Sequence, residues 1–191
     1  MKIRVVFTSI FLAIFSLACF AADQGTIFIV RHAEKASSAP DALLSAAGHK
    51  RATCLAHTLK DVNVQAIFTP EVKRTQQTAE PLANARHISI TVVPRKNQPE
   101  LLEKARAAAQ NGAVLIVAQQ DTIAQIVQQL SGGTVSAIGD PEFDRLIILH
   151  LNLSGSSVTT LRYCDCGVPA SASSQAMDEG MTPAAANASP Q

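Results

Sequence analysis

Hydrophobic positions follow two different periods along the middle of the chain. Short apolar runs rich in Val and Ile have the length and composition of strands that are buried on both faces. These runs lie at 26–30, 64–68, 88–93 and 114–117. Two later runs, 146–151 and 158–163, flank Ser154-Gly155-Ser156 and predict an antiparallel hairpin.

Between the strands, apolar residues recur at helical spacing. The i, i+3, i+4, i+7 pattern occurs twice, at Ala52, Leu55, Ala56 and Leu59 and again at Ile123, Ile126, Val127 and Leu130. Ser45 is a plausible N-cap for the first of these helices. Residues 71–84 and 100–110 also predict helices. Strands separated by helices indicate an α/β fold, a three-layer α/β/α arrangement around a mostly parallel central sheet.

The two ends of the chain differ from this middle part. Residues 1–21 have a basic start, an apolar run and small residues at the end, which predicts a secretory signal peptide cleaved near Ala21. Such a protein would be periplasmic or secreted, with no stable membrane insertion after cleavage. The alternatives are a membrane anchor and a lipoprotein lipidated at Cys19. Residues 168–191 are rich in Ala, Ser and Pro and predict a disordered tail. The folded domain is expected at 26–166.

Composition and charge narrow the class of partner. The chain has 191 residues, 47% of them hydrophobic, which is enough for one core. A formal net charge of +1 and the absence of Trp argue against nucleic acid as a partner. The oligomeric state cannot be read from these features.

Three cysteines remain after the predicted cleavage: Cys54, Cys164 and Cys166. Export would place them in an oxidising compartment, and their odd number leaves one thiol free or paired between chains. We expect Cys164 and Cys166 to form a local disulfide or to be two ordinary thiols. A metal half-site is the alternative, but no further His or Cys cluster stands beside them in sequence.

The candidate chemistry lies where the predicted strands end. Arg31 and His32 follow the first strand, Arg74 follows the second, and Gln119 follows the strand at 114–117. Ligands of open α/β sheets bind at the carboxyl ends of the strands, next to helix N-termini. Two arginine forks and an imidazole at such an edge suit a tetrahedral dianion, because arginine binds phosphate oxygens in bidentate fashion.

Several segments resemble the histidine phosphatases, a family that includes the phosphoglycerate mutases and acid phosphatases. Val30-Arg31-His32-Ala33-Glu34-Lys35 is similar to the family's Arg-His-Gly signature, with Ala at the third position as in a small exported bacterial branch. The likeness continues through 44–52, 68–82 and 142–146 and is strongest at 68–82. It covers nearly all of 26–163 and implies a phosphoglycerate mutase-like fold.

The resemblance also implies roles for individual residues. His32 matches the nucleophile that becomes a phosphohistidine, and Arg31 and Arg74 match the phosphate-binding arginines. The family's second histidine is replaced by Gln119, or by Gln120 on another alignment, and we expect Gln119 to bind phosphate. The general acid is not implied by the resemblance; Glu34 is the candidate because it lies two residues past His32 in sequence. Asp121 and Glu100 are alternatives to it.

We therefore expect a phosphomonoesterase that works through phosphohistidine at His32 without a metal or cofactor, and more slowly for lack of the second histidine. The alternative is a non-catalytic protein that binds a phosphorylated ligand, and a metal-binding protein using Cys164 and Cys166 is a third hypothesis.

A mutase is disfavoured by the short chain and by export. About 30 residues between Thr78 and the strand at 114–117 leave little room for a capping subdomain. The expected open pocket suits a phosphorylated small molecule or peptide.

Overall fold

A computed structural model describes residues 24–164. The predicted signal peptide at 1–21 with Cys19, the cysteine at Cys166 and the predicted disordered tail at 168–191 lie outside these residues. Among the helices between residues 24 and 164, none is long and apolar enough to cross a membrane.

Six strands form one sheet. They are β1 (Gly25–Arg31), β2 (Val64–Thr69), β3 (Ile90–Val92), β4 (Ala113–Ala118), β5 (Arg145–Leu151) and β6 (Ser157–Arg162). Their order across the sheet is β3-β2-β4-β1-β5-β6. The first four in this order run parallel, whereas β5 pairs antiparallel with β1 and β6 pairs antiparallel with β5. The predicted mostly parallel sheet and the terminal hairpin are confirmed.

Four α-helices cover the two faces of the sheet. They are α1 (Ala46–Thr58), α2 (Lys73–Arg86), α3 (Gln98–Ala109) and α4 (Gln120–Ser131). A short 3-10 helix at Arg95–Asn97 precedes α3. Apolar residues of α1 and α2 pack on one face of the sheet, and those of α3 and α4 pack on the other. The predicted three-layer α/β/α arrangement is confirmed.

The central strands are apolar throughout because both of their faces are buried. In β1, Ile27 and Ile29 contact the layer of α3 and α4, while Phe28 and Val30 contact the layer of α1 and α2. All six residues of β4 are buried in the same way. Strands covered on both sides lose the polar alternation of a half-exposed sheet. The buried strands are therefore a rigid support for the polar residues that follow their carboxyl ends.

The start of α1 is fixed against the segment that follows His32. The hydroxyl of Ser45 accepts a hydrogen bond from the Gly48 N–H, as its predicted N-cap role requires, and the Ser45 N–H donates to the Glu34 carbonyl. A Cβ atom at Gly48 would lie only 2.3 Å from that same carbonyl oxygen. Only glycine permits this close approach. The start of α1 thus fixes the position of residues 33–35.

A disulfide joins Cys54 of α1 to Cys164, just after β6. The expectation of a local Cys164–Cys166 disulfide, or of two ordinary thiols, was wrong for Cys164. The pairing depends on packing, because α1 lies on the sheet face reached by the end of β6 and brings the two Cα atoms to 6.0 Å. The bond closes a loop across 110 residues of sequence, which restricts the unfolded chain strongly.

This disulfide leads to a stability prediction. Replacing Cys54 or Cys164 with Ser should each lower the free energy of unfolding by about 2–5 kcal/mol, because the long loop is no longer closed in the unfolded state. Urea unfolding of oxidised protein measures the change. Cys166→Ser is the control and should have a much smaller effect. Equal destabilisation by Cys166→Ser, with none from Cys54→Ser, would show that the pairing is wrong.

Candidate functional site

The predicted site residues are held at one edge of the sheet by the ends of the parallel strands. Arg31 is the last residue of β1, Arg74 lies in the first turn of α2 after β2, and Gln119 lies between β4 and α4. The His32 N–H donates to the Ala118 carbonyl at 3.0 Å, which extends the β1–β4 pairing by one step. His32 and Gln119 therefore leave neighbouring strands side by side.

His32 is a buried neutral imidazole. The residue is only 4% exposed, and Nδ1 lies 2.8 Å from the carbonyl oxygen of Ala33. Because a carbonyl can only accept, Nδ1 carries the proton and Nε2 keeps its lone pair. Burial has the largest effect on the pKa of His32 and lowers it to about 4. The charges of Arg74, Arg31 and Lys35 also lower this pKa, whereas the hydrogen bond to Ala33 raises it. A neutral imidazole with a free Nε2 is the form that can act as a nucleophile.

Arg31 is fixed by the loop before β5. Its Nη1 donates to the carbonyls of Gly139, Asp140 and Glu142 at 3.0, 2.8 and 3.2 Å. Its guanidinium also lies over the ring of Phe143, 4.1 Å from the ring centre, at a distance typical of a cation–π contact. Within residues 24–164, the buried Nε of Arg31 has no acceptor.

Glu142 organises the loop that holds Arg31. Its carboxylate accepts from the Gly139 N–H at 2.6 Å, from Arg162 at 2.6 Å and from Arg145 at 2.8 Å. These bonds lower the pKa of Glu142 to about 2, the Gly139 N–H having the largest effect. The carboxylate therefore stays ionised over the whole neutral range and keeps the loop carbonyls aimed at Arg31. The segment 142–146, which resembles the histidine phosphatases, supports the site from this position.

Arg74 is also held by a backbone carbonyl. Its Nη1 donates to the Pro40 carbonyl at 2.6 Å, and its Nε is buried without an acceptor in the described part of the chain. Burial lowers the pKa of Arg74, and repulsion from Arg95 adds to the effect. The charge of Arg74 also lowers the pKa values of Arg31 and His32, which places all three in one electrostatic environment.

Gln119 and Gln120 have different partners. The side-chain oxygen of Gln119 accepts from Nη1 of Arg95 at 2.7 Å. The side-chain nitrogen of Gln120 donates to the Ile138 carbonyl at 2.6 Å and to Asp140 at 3.1 Å. The side chain of Gln120 is thus hydrogen-bonded to the 138–140 loop. Gln119 retains an amide nitrogen for which residues 24–164 supply no acceptor.

Arg95 is a site residue that the sequence analysis missed. It lies just after β3, and its Nη2 pairs with Asp121 at 2.8 Å while its Nη1 contacts Gln119. The strand-end rule that identified Arg31 and Arg74 would have found it, because β3 runs parallel to β2 and ends two residues before Pro94.

The carboxylates predicted as general acids lie in different places. Glu34 accepts from Nε and Nη2 of Arg51 at 2.8 and 2.7 Å, and Glu100 pairs with Lys104 on the surface of α3. Asp121, in contrast, lines the cavity beside His32. Glu34 and Asp121 are both paired with an arginine, Glu34 with Arg51 on α1 and Asp121 with Arg95. Only Asp121 of these carboxylates lines the cavity, and the general acid stays a prediction.

A cavity of about 490 Å³ opens beside His32 between α4 and the segment before β5. Its lining combines cationic and amide groups with small or apolar side chains. It is lined by Arg31, His32, Lys35, Gln119, Gln120, Asp121, Ala124, Val135, Ser136, Ala137 and Ile138. In the region from 24 to 164, no group of three or more His, Cys, Asp or Glu residues could hold a metal ion. The chemistry available here is that of an anion held next to an imidazole.

The pKa of His32 predicts how stability changes with pH. Because the folded-state value, about 4, is below the ordinary value of 6.5, the unfolded chain binds more protons between these pH values. The free energy of unfolding should therefore fall as pH is lowered from 6.5 towards 4, by up to about 3 kcal/mol from this group. Urea unfolding at several pH values measures it, and His32→Gln should show a flatter profile. Equal slopes for both proteins would contradict the assignment.

Comparisons with known proteins agree with this geometry. The family model for the histidine phosphatase superfamily (branch 1) matches residues 27–97, which include His32, Arg31 and Arg74. Comparison with curated proteins gives no significant match.

Solved structures share the fold at low identity. The protein histidine phosphatase SixA complexed with tungstate is 18% identical, with a TM-score of 0.59 over 72% of this chain and 96% of SixA. Phosphoserine phosphatase from Entamoeba histolytica, in complex with 3-phosphoglyceric acid, is 13% identical, with a TM-score of 0.57 over 73% of this chain and 98% of that one. The alpha-ribazole phosphatase from Shigella flexneri is 16% identical, with a TM-score of 0.55 over 72% and 96%.

The family-model match covers the segments that carry His32, Arg31 and Arg74. The fold shared with these phosphatases extends over about 72% of the chain. Residues 27–97 are therefore similar to the histidine phosphatase superfamily, and the whole domain has the fold of its solved members.

Proposed function

We propose that this chain is a phosphomonoesterase that transfers the phosphoryl group of its substrate to Nε2 of His32 and then to water. The observation that carries this proposal is the pair of buried Nε–H groups, on Arg31 and Arg74, without acceptors in the described residues. The charges of both arginines act on the neutral imidazole of His32 and lower its pKa. Buried donors without partners are costly, and a phosphate dianion would satisfy both.

The first step would be attack by the Nε2 lone pair on phosphorus. The P–N bond forms as the bond to the leaving oxygen breaks, and the leaving oxygen takes a proton from water or a cavity carboxyl group. Arg31 and Arg74 would stabilise the charge on the three equatorial oxygens. The Nδ1–H bond to Ala33 holds the ring in the required tautomer while the imidazole becomes positively charged.

The second step would be attack by water on the phosphohistidine. The water gives a proton to bulk solvent as the P–O bond forms, the P–N bond breaks and its electron pair returns to Nε2, which releases inorganic phosphate. We propose that Asp121 orients this water, because its carboxylate lines the same cavity as His32. Substrates would be phosphorylated small molecules or peptides, whose leaving groups would contact the small and apolar residues of the cavity lining.

A second candidate is a non-catalytic protein that binds a phosphorylated ligand. It is favoured by the resemblance, which implies that an uncharged glutamine, Gln119 or Gln120, replaces the family's second histidine. Loss of one charged or strong donor from a transition-state clamp typically costs on the order of 10²–10³ in rate. Phosphate binding would suffer less, since both arginines remain. Phosphohistidine trapped at His32 during turnover favours the enzyme, and binding without it favours the second candidate.

We also propose that the protein is exported, to the periplasm or beyond. The residue pattern at 1–21 is that of a cleaved signal peptide. The Cys54–Cys164 disulfide supports this, since such bonds persist in oxidising compartments. Fractionation of cells that express the whole chain, with the mass of the mature protein, tests it. Protein of full mass in the cytoplasm would contradict the proposal.

The role of Gln119 gives a kinetic prediction. Gln119→His should raise kcat on p-nitrophenyl phosphate by roughly 10- to 100-fold, because a histidine restores a stronger donor to the phosphoryl oxygens. Gln119→Ala should lower kcat, and His32→Ala is the control that should abolish turnover. A native enzyme that is already fast, and gains nothing from the histidine, would show that Gln119 does not limit the reaction.

A further inference from the structure

Arg95 holds Gln119 in one orientation at the edge of the His32 cavity. Nη1 of Arg95 lies 2.7 Å from the side-chain oxygen of Gln119. A guanidinium can only donate hydrogen bonds, so the amide atom facing it must be the oxygen. The amide nitrogen, on the opposite side of the group, is then free to donate elsewhere. Gln119 is 9% exposed and lines the same cavity as His32.

We propose that Arg95 is a positioning residue that aims the amide N–H of Gln119 at the phosphoryl group on His32. Without Arg95, the amide could turn its oxygen towards the cavity, and an oxygen there would repel the phosphate. The proposal rests on the phosphate site proposed above. It adds a residue that neither the sequence motifs nor the comparisons assign to that site.

Arg95 is itself anchored by two neighbouring elements. Its Nη2 pairs with Asp121 in the first turn of α4 at 2.8 Å. Its backbone N–H donates to Glu71, just before α2, at 2.9 Å. The guanidinium thus bridges from the end of β3 to the start of α4, and its fork contacts Gln119 and Asp121 at once. A planar fork with both arms occupied fixes its partner better than a single point charge.

Arg95 also brings a positive charge close to the position where the family has a histidine. Its charge lowers the pKa of Arg74, so the two cations are near neighbours. A cation on the amide oxygen polarises the amide and strengthens donation by its nitrogen. The Arg95–Gln119 pair would thereby supply, through one neutral donor, part of what a protonated imidazole supplies directly.

The test compares Arg95 variants by tungstate affinity, measured calorimetrically, and by kcat and KM on p-nitrophenyl phosphate. Arg95→Ala should weaken tungstate binding and lower kcat, each on the order of tenfold, the value of one hydrogen bond to a charged group. Arg95→Lys should recover part of both, because lysine can contact Gln119 or Asp121 but cannot span them. Lys96→Ala, at the exposed neighbouring position, is the matched control.

Two Gln119 variants separate positioning from folding. Gln119→Glu keeps an acceptor for Arg95 but removes the donor, so it should lose tungstate affinity without loss of thermal stability. In a Gln119→His background, Arg95→Ala should have less than about a twofold effect, because the imidazole donates without being oriented by Arg95. Equal losses from Arg95→Ala in the Gln and His backgrounds would overturn the positioning role.

The outcomes distinguish this inference from the proposed hydrolysis. If the native protein binds tungstate but shows no turnover and no phosphohistidine, hydrolysis is contradicted, and the tungstate affinities alone decide the role of Arg95. If Arg95→Ala and Arg95→Lys bind tungstate as tightly as the native protein, the role of Arg95 is overturned even where turnover is present.

Discussion

Backbone carbonyls hold the two arginines beside His32, and the site depends on this arrangement. Nη1 of Arg31 donates to three carbonyls of the loop before β5, and Nη1 of Arg74 donates to Pro40. A carboxylate in either place would satisfy the donor but would also cancel its charge. A carbonyl fixes the guanidinium and leaves the charge available to an anion. The remaining Nε donors are consequently buried and still lack an acceptor within residues 24–164.

The chemistry of His32 follows from the same arrangement. Burial together with nearby cations keeps the imidazole neutral, and the Ala33 carbonyl decides which nitrogen carries its proton. A phosphate dianion would relieve the repulsion between the charges of Arg31 and Arg74. The same charges would therefore attract phosphate and keep His32 in the neutral form that can act as a nucleophile. Two residues outside the cavity lining stabilise this arrangement. Glu142 holds the loop at 139–142, whose carbonyls bind Arg31, and Gly48 allows α1 to pack closely against the segment that follows His32.

The sequence predicted those features that depend on short-range pattern. Apolar runs located the strands, and the strand-end rule brought Arg31, His32, Arg74 and Gln119 to one edge. Backbone acceptors such as those of the 139–142 loop have no side-chain signature, so the way Arg31 is held could not be predicted. The pairing of Glu34 with Arg51 of α1 could not be predicted either, because closeness to His32 in sequence does not reveal that contact. The Cys54–Cys164 bond likewise depends on how α1 packs near the end of β6.

The most direct test of the central claim is a crystal structure of the mature protein with tungstate, a tetrahedral oxyanion that mimics phosphate. The account predicts that the metal atom of tungstate lies at bonding distance from Nε2 of His32. The Nε–H groups of Arg31 and Arg74 should both donate to its oxygens, with the carbonyl contacts of their Nη1 atoms unchanged. Tungstate bound away from His32, or arginines that turn to carboxylates instead, would contradict the account.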